Sequence, residues 1–224
     1  MLKNLSIIIP SKNEAKNLEF ILPKLRNFSD DIIVVDGHSN DGTENICNIN
    51  NVSFRLDNGH GKGDAQRVGV SYAKYEYIIF FDADGSHDEN DIEKLYQNII
   101  QDNVDLVVCS RKTGGTKDTD GCTSWIGFIR QTGCDFLSLL FNKKYKTIFT
   151  DILYSYRAVK KKSFVNLNTK AKSFDIEINM LSQACKKKMN VLEIPSREKS
   201  RVFGYSKLNT FRGVEFIFQI LLGK

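Results

Sequence analysis

The sequence predicts an α/β fold built on a mainly parallel sheet, and three features carry that expectation. Apolar runs of strand length alternate with segments of helical period along residues 1–110. The run Ile78, Ile79, Phe80, Phe81 has no polar break, as a strand buried on both faces requires. Polar motifs follow three of the runs, and in such sheets ligands bind beyond the carboxyl ends of the strands.

Residues 5–10 form the first predicted strand, and the next segment carries Leu18, Ile21, Leu22 and Leu25 at helical spacing. A second strand over 32–35 ends at Asp36, a short helix begins over 41–47, and a short strand follows over 52–55. Residues 63–74 read as a helix that leads into the central strand at 78–81. A helix with an acidic start over 88–101 and a strand over 104–109 complete this half.

The second half is less regular. Residues 113–124 are polar and contain Gly114, Gly115 and Gly121, as a mobile loop would. A helix is expected over 125–141 with Arg130 on it, then Thr150-Asp151 and a Tyr-rich stretch, a helix over 173–188, and a strand over 191–194. The tail 208–222 is apolar apart from Arg212 and Glu215. A membrane span needs about 20 apolar residues, so surface attachment or core packing is expected instead.

A chain of 224 residues with 41% hydrophobic content supports one large domain. Cys47, Cys109, Cys122, Cys134 and Cys185 are odd in number and make no Cys-x-x-Cys pair, which suits reduced thiols in a cytosolic protein. No basic-then-apolar leader precedes the first strand, so export is not expected. The net charge of +5 is concentrated at Lys143, Lys144 and Lys146, at Lys160 to Lys162, at Lys186 to Lys188, and at Arg197, Lys199, Arg201 and Lys207. An anionic substrate or a lipid headgroup surface, rather than nucleic acid, is the expected partner.

The central strand stops at Asp82-Ala83-Asp84. In extended chain, residues i and i+2 point the same way, so both carboxylates converge at the strand tip. Two such anions repel unless a cation lies between them. A hard divalent ion, Mg²⁺ or Mn²⁺, that also carries substrate phosphates is the economical solution.

Taken together, Ser6-Ile-Ile-Ile-Pro-Ser-Lys-Asn-Glu14, Ile33-Val-Val-Asp-Gly-His-Ser-Asn-Asp-Gly-Thr43, Gly61-Lys-Gly-Asp-Ala-Gln-Arg67 and Phe81-Asp-Ala-Asp-Gly-Ser-His87 resemble the family 2 inverting glycosyltransferases. Cys109-Ser-Arg111, Arg130, Asp151, Arg157 and Arg201-Val-Phe-Gly-Tyr-Ser-Lys207 continue the resemblance, which is strongest to the dolichol/polyprenyl-phosphate sugar synthase branch. The resemblance implies a GT-A nucleotide-diphospho-sugar transferase fold, three layers α/β/α around a mainly parallel mixed sheet. It implies a single catalytic domain over 1–207, nucleotide-sugar-binding to 110 and acceptor-binding beyond, followed by a helix at 208–224 that contacts the membrane surface.

The resemblance also implies roles. Pro10, Asn13, Glu14 and Asp36 would line the nucleotide pocket, with Asp36 near the base, and Lys62 and Arg67 would lie beside the nucleotide or its diphosphate. Asp82 and Asp84, with Ala83 between them, would hold the diphosphate through Mg²⁺ or Mn²⁺. Arg111, Arg130, Arg201 and Lys207 would face the acceptor phosphate and the leaving diphosphate, and Asp151 would belong to the same site. The implied partners are a nucleotide-sugar donor (GDP-mannose or a UDP-hexose) and a lipid phosphate at the cytoplasmic membrane face, with a separate membrane-anchor subunit left open. Gly37, Ser86 and Cys109 depart from the residues common in that branch.

Other readings stand beside these. Ser11 and Glu14 also fit a capping box. His38, His60 and His87 lack ligand spacing and read as structural or loop residues. Gly61-Lys-Gly63 lacks the spacing of a phosphate loop. Lys160 to Lys162 and Lys186 to Lys188 read as solvated faces, and Arg157 is as compatible with a structural role as with the site. A sugar-hydroxyl acceptor would need a general base, for which Asp151 and Glu177 are the candidates. A non-catalytic nucleotide-sugar-binding module is a further alternative.

Overall fold

The computed structural model describes residues 1–114, 125–204 and 212–222. Seven strands, β1 (Leu5–Ser11), β2 (Asp31–Asp36), β3 (Ser53–Leu56), β4 (Tyr77–Phe80), β5 (Leu106–Ser110), β6 (Arg157–Lys160) and β7 (Val191–Pro195), form one sheet in the order β3-β2-β1-β4-β6-β5-β7. All neighbours pair in parallel except β6, which runs antiparallel between β4 and β5. The expected mixed, mainly parallel α/β sheet is the one observed.

The helices are α1 (Ala15–Leu25), α2 (Thr43–Ile49), α3 (Lys62–Tyr72), α4 (Asp91–Ile99), α5 (Arg111–Gly114), α6 (Trp125–Tyr145), α7 (Lys161–Leu167), α8 (Ile176–Lys186) and α9 (Arg212–Leu222). The alternation along each strand sends side chains to two separate cores. Ile8, Ile33, Val35, Ile78 and Phe80 pack with α3 and α8 on one face, while Ile7, Ile9, Val34, Ile79 and Phe81 pack with α1 and α4 on the other. Each fully buried Ile or Leu contributes roughly 1.5–3 kcal/mol, so the central strands anchor the layers.

β6, α7 and the single turn α5 are the described elements that sequence periodicity missed; α5 takes Thr113 and Gly114 from the expected loop, whose residues 115–124 lie outside the described ones. Arg157-Ala-Val-Lys160 carries a charge at each end, yet all four residues are buried. Arg157 donates to the carbonyls of Tyr154 (3.0 Å), Glu177 (2.6 Å) and Ile152 (2.8 Å), and Lys160 Nζ donates to those of Gln101 and Asp102. Lys160 is therefore no solvated face; backbone carbonyls satisfy the buried ammonium. The tail helix α9 packs on α6 and α8. It buries Phe216 and Ile220 and leaves Phe218 and Leu221 exposed.

The capping box over residues 11–14 does not form. Ser11 is the last residue of β1, and the backbone N–H of Ala15 donates instead to Asp41 Oδ2 at 2.8 Å. Cys47, Cys109, Cys134 and Cys185 are free thiols.

Candidate active site

The chain leaves β4 through Phe81, whose N–H still donates to Ile8 O, and enters the Asp82-Ala83-Asp84 loop. Asp82 is held by Lys62, with Nζ 2.8 Å from Oδ1, and by Ser155, whose hydroxyl donates to Oδ2 at 2.5 Å. Lys62 also reaches Glu177 Oε1 at 3.1 Å. Burial opposes the charged forms of both partners, but the Lys62–Asp82 attraction outweighs it. The Lys62 pKa is raised, with help from Glu177, and that of Asp82 is lowered.

His87 lies in the loop after β4 and has a structural role there. It is buried, stacked on Tyr156 with centroids 4.2 Å apart and set edge-on to Phe81 and Tyr154. Its Nδ1 accepts the N–H of Asp82 at 3.1 Å, which leaves the proton on Nε2 beside Ser155 Oγ. Burial pushes its pKa down to about 4, so a neutral imidazole closes the loop.

Asp84 pairs with Arg201, Nη2 to Oδ2 at 2.7 Å, and accepts the N–H of Ser86 at 2.9 Å. Arg201 reaches it because the segment after β7 lies along the loop. Lys199 N–H donates to Ser86 O, and Val202 N–H donates to Asp84 O. Gly85 between them has φ +75°, and a Cβ there would stand 2.8 Å from Val202 Cγ2; glycine meets both demands.

A cleft of about 300 Å³ opens on the β1–β2 side of this loop. Pro10, Ser11, Glu14, Gly37 and Asp57 line one end, and Lys62, Ala83 and Arg201 line the other. Ser11 Oγ is buried there without a hydrogen-bond partner. The N-terminus of α3 can approach because Gly63 has no side chain; a Cβ there would lie 2.6 Å from Ala171 O.

Three residues expected at the nucleotide stand behind the cleft. Asp36 is buried with its carboxylate taken by the N–H (2.7 Å) and hydroxyl (2.5 Å) of Ser39. Asn13, at φ +52°, braces the same turn through Ser39 and Asn40. Arg67 pairs with Asp64 at 3.2 Å and donates to Ala171 O, so it fixes the 171–174 segment. These side chains shape the cleft without lining it.

A second cavity, of about 180 Å³, lies on the other side of the loop and shares Lys62, Asp82, Asp84, Phe174 and Arg201 with the first. Arg111 enters it from the start of α5 and clamps Asp151, with Nε–Oδ2 2.7 Å and Nη2–Oδ1 3.2 Å. Its Nη1 lies 3.4 Å from Glu198. Burial opposes both charges, yet the pair holds the Arg111 pKa up and the Asp151 pKa down. Glu193 of β7 fixes the Asp151 turn by accepting the N–H groups of Thr150 and Asp151.

The structure thus brings together Lys62, Asp82, Asp84, Arg111, Asp151 and Arg201, while Lys207 and the Arg130 side chain lie outside the described residues. Sequence reasoning overlooked Ser155, His87 and Glu198 as members of the site. Glu198 carried a signal, as the one acid within the basic run 197–207. Ser155 reaches Asp82 only through the fold, whereas His87 belongs to the same loop, five residues on.

The two loop carboxylates offer oxygen donors alone, the set that suits a hard cation. Among the described residues no group of three or more His, Cys, Asp or Glu side chains is placed to hold a metal. Asp82 and Asp84 are the carboxylates that would hold a divalent ion, where it would offset phosphate charge.

Comparison with known proteins agrees with this geometry. The model of the glycosyl transferase family 2 matches residues 6–164. The glycosyltransferase AglJ of Haloferax volcanii is 25% identical over 85% of this chain, which spans 61% of that protein's length. The UDP-N-acetylglucosamine–dolichyl-phosphate N-acetylglucosaminyltransferase of Methanococcus voltae is 28% identical over 99% of this chain and 96% of its own. The glucosyl-3-phosphoglycerate synthase of Mycobacterium tuberculosis, solved with Mn²⁺, UDP and glucosyl-3-phosphoglycerate, superposes with a TM-score of 0.71 at 14% identity. That match covers 98% of this chain and 78% of that one, so the two share the GT-A architecture.

Proposed function

Because the chain belongs to glycosyl transferase family 2, we propose that it moves one sugar, with inversion, from a nucleotide-sugar donor to a polyprenyl or dolichyl phosphate at the cytoplasmic membrane face. The observation that carries this reading is the junction of the two clefts. They meet at Asp82 and Asp84, and the acceptor side presents Lys62, Arg111 and Arg201.

Mg²⁺ or Mn²⁺ held by Asp82 and Asp84 would supply charge neutralisation for the leaving diphosphate. The chain's own residues do the rest. Pro10, Ser11 and Gly37 shape the bed of the nucleotide. Lys62 and Arg201, each already beside a carboxylate of the loop, place positive charge where the diphosphate gathers negative charge. Arg111, locked by Asp151, orients the acceptor phosphate in line with the sugar.

A phosphate acceptor is already ionised at neutral pH and needs no strong base. Asp151 and Glu177, the candidates for activating a sugar hydroxyl, are committed to Arg111 and Lys62, which favours the phosphate acceptor. The Methanococcus voltae relative, named for transfer to dolichyl phosphate, supports the same choice. No helix among the described residues is long and apolar enough to cross a membrane, so a lipid acceptor would be met at the surface.

A thermal-shift panel of GDP-mannose, UDP-glucose and UDP-GlcNAc, with and without Mn²⁺, tests the donor half. A metal-dependent rise in melting temperature with one nucleotide is expected, because ligand binding stabilises the folded state by mass action. No rise with any of them would favour a non-catalytic module.

A further inference from the structure

The acceptor-side cavity holds a titratable group that the transfer has not used. Glu198 sits on the segment after β7, its side chain 23% exposed, with Oε2 3.4 Å from Arg111 Nη1. Arg111 commits Nε and Nη2 to Asp151. The Nη1 group is then the donor left for an incoming anion, and Glu198 holds it by the loosest of the three contacts. A phosphate oxygen that binds Arg111 Nη1 comes beside Glu198, whose Oε2 is 3.4 Å from that nitrogen.

Charge decides the form in which they meet. On the walls of this cavity Lys62, Arg111 and Arg201 face Asp82, Asp84, Glu177 and Glu198; with Asp82 and Asp84 reserved for the metal and Glu177 paired with Lys62, Glu198 is the carboxylate left beside Arg111. Asp151 cannot take up a proton cheaply, because it accepts from Arg111 and from the N–H groups of Leu153 and Tyr154. The charges that act most strongly on Glu198 are Arg111 of α5, Asp151 of the turn before β6 and Asp84 of the loop after β4; Tyr154 and Cys134 also feel its charge, and Arg201 lines the same cavity. Burial raises its pKa; the charge and hydrogen bond of Arg111 oppose that rise, and Asp151 and Asp84 add to it. An ionised carboxylate and a phosphate dianion within contact repel; one of them must carry a proton.

We infer that Glu198 meets the acceptor phosphate as the neutral acid, donating its hydrogen to a phosphate oxygen beside Arg111, so that acceptor binding takes up a proton. The inference rests on the lipid-phosphate reading of the cavity. It makes acceptor affinity fall by about tenfold per pH unit once free Glu198 is ionised. Nucleotide affinity, set in the other cleft, does not follow that slope. Glu198→Gln keeps the shape and a hydrogen-bond donor while removing the titration.

The test uses the full chain loaded with nucleoside diphosphate and Mn²⁺, titrated calorimetrically with farnesyl phosphate in buffers of different ionisation enthalpy. The titrations are run at two pH values above neutrality, where the free phosphate is a dianion (second pKa about 6). Wild type is expected to take up close to one proton per acceptor bound. Glu198→Gln is expected to take up none, to bind the acceptor equally well or more tightly, and to lose the pH slope. Equal proton uptake in both proteins, or acceptor binding weakened by about tenfold (1.4 kcal/mol) in the variant, overturns the inference. An unchanged nucleoside diphosphate Kd in the variant shows that it is folded. Failure of wild type to bind farnesyl phosphate at all would instead overturn the acceptor reading, and the role of Glu198 with it.

Discussion

Arg201 Nη2 lies 2.7 Å from Asp84 Oδ2. This contact joins the basic segment near the end of the chain to the loop at the tip of β4. It also places a positive charge on the carboxylate that a metal would claim. Lys62 does the same for Asp82 at 2.8 Å. Each loop aspartate thus has a protein cation that a bound metal–nucleotide would release toward phosphate oxygens.

Asp151 is expected to act through Arg111 rather than as a base. Asp151→Asn should raise the acceptor KM by about tenfold or more, the scale of one charge-assisted hydrogen bond, and leave nucleoside diphosphate binding unchanged. Steady-state kinetics with farnesyl phosphate check this. A fall in kcat alone, with loss of the acidic limb of its pH profile, would indicate a base.

Arg157 carries the geometry of the acceptor side. It is 1% exposed and serves three carbonyls around the 151–155 turn and the start of α8. Arg157→Met leaves those carbonyls unpaired and should destabilise the fold by on the order of 3 kcal/mol. Urea denaturation measures it; a loss below about 1 kcal/mol would mean that water replaces the guanidinium.

Gly63 sets how closely α3 meets the 171–174 segment. With Ala171 O 2.6 Å from the position of a Cβ, Gly63→Ala must move backbone. A cost of about 1–3 kcal/mol is expected, together with weaker nucleotide binding because Lys62 and Phe174 shift apart. Calorimetric Kd values for the nucleoside diphosphate test the second part, and an unchanged Kd would detach this contact from the cleft.

His87 gives the fold an acid sensitivity. Its folded pKa is about 4 against an ordinary 6.5, so between these values the unfolded chain binds the proton more readily. Stability from this group is fully present above pH 6.5 and is lost as pH falls through 4. Melting scans should show His87→Gln losing much less stability than wild type across that window, by roughly 2–3 kcal/mol. Parallel curves would place the acid sensitivity elsewhere.

Much of the architecture was legible in the sequence because the central strands are apolar on both faces. Leu5–Ser11, Asp31–Asp36, Tyr77–Phe80 and Leu106–Ser110 each fall within a residue or two of the expected strands. β6 was not legible, since Arg157 and Lys160 look like surface charges until distant carbonyls are brought to them. Ser11 and Glu14 suggested a local cap, but Asp41 supplies it from the loop after β2. The Asp82-Ala83-Asp84 motif was visible as a strand-end pair. Its partners Lys62, Ser155 and Arg201 converge through long-range packing that no local pattern encodes, while His87 closes the same loop from five residues away.

Transfer to a phosphate at the junction of the two clefts is the reaction proposed for this chain. Its most direct test is a product assay with purified protein, Mn²⁺, the nucleotide sugar that binds, and farnesyl phosphate or farnesol as acceptor. A glycosyl-phospho-farnesyl product, absent with farnesol and abolished by Asp84→Asn, is the predicted result. Metal-independent turnover, full activity in Asp84→Asn, or transfer only to a hydroxyl acceptor would contradict the account.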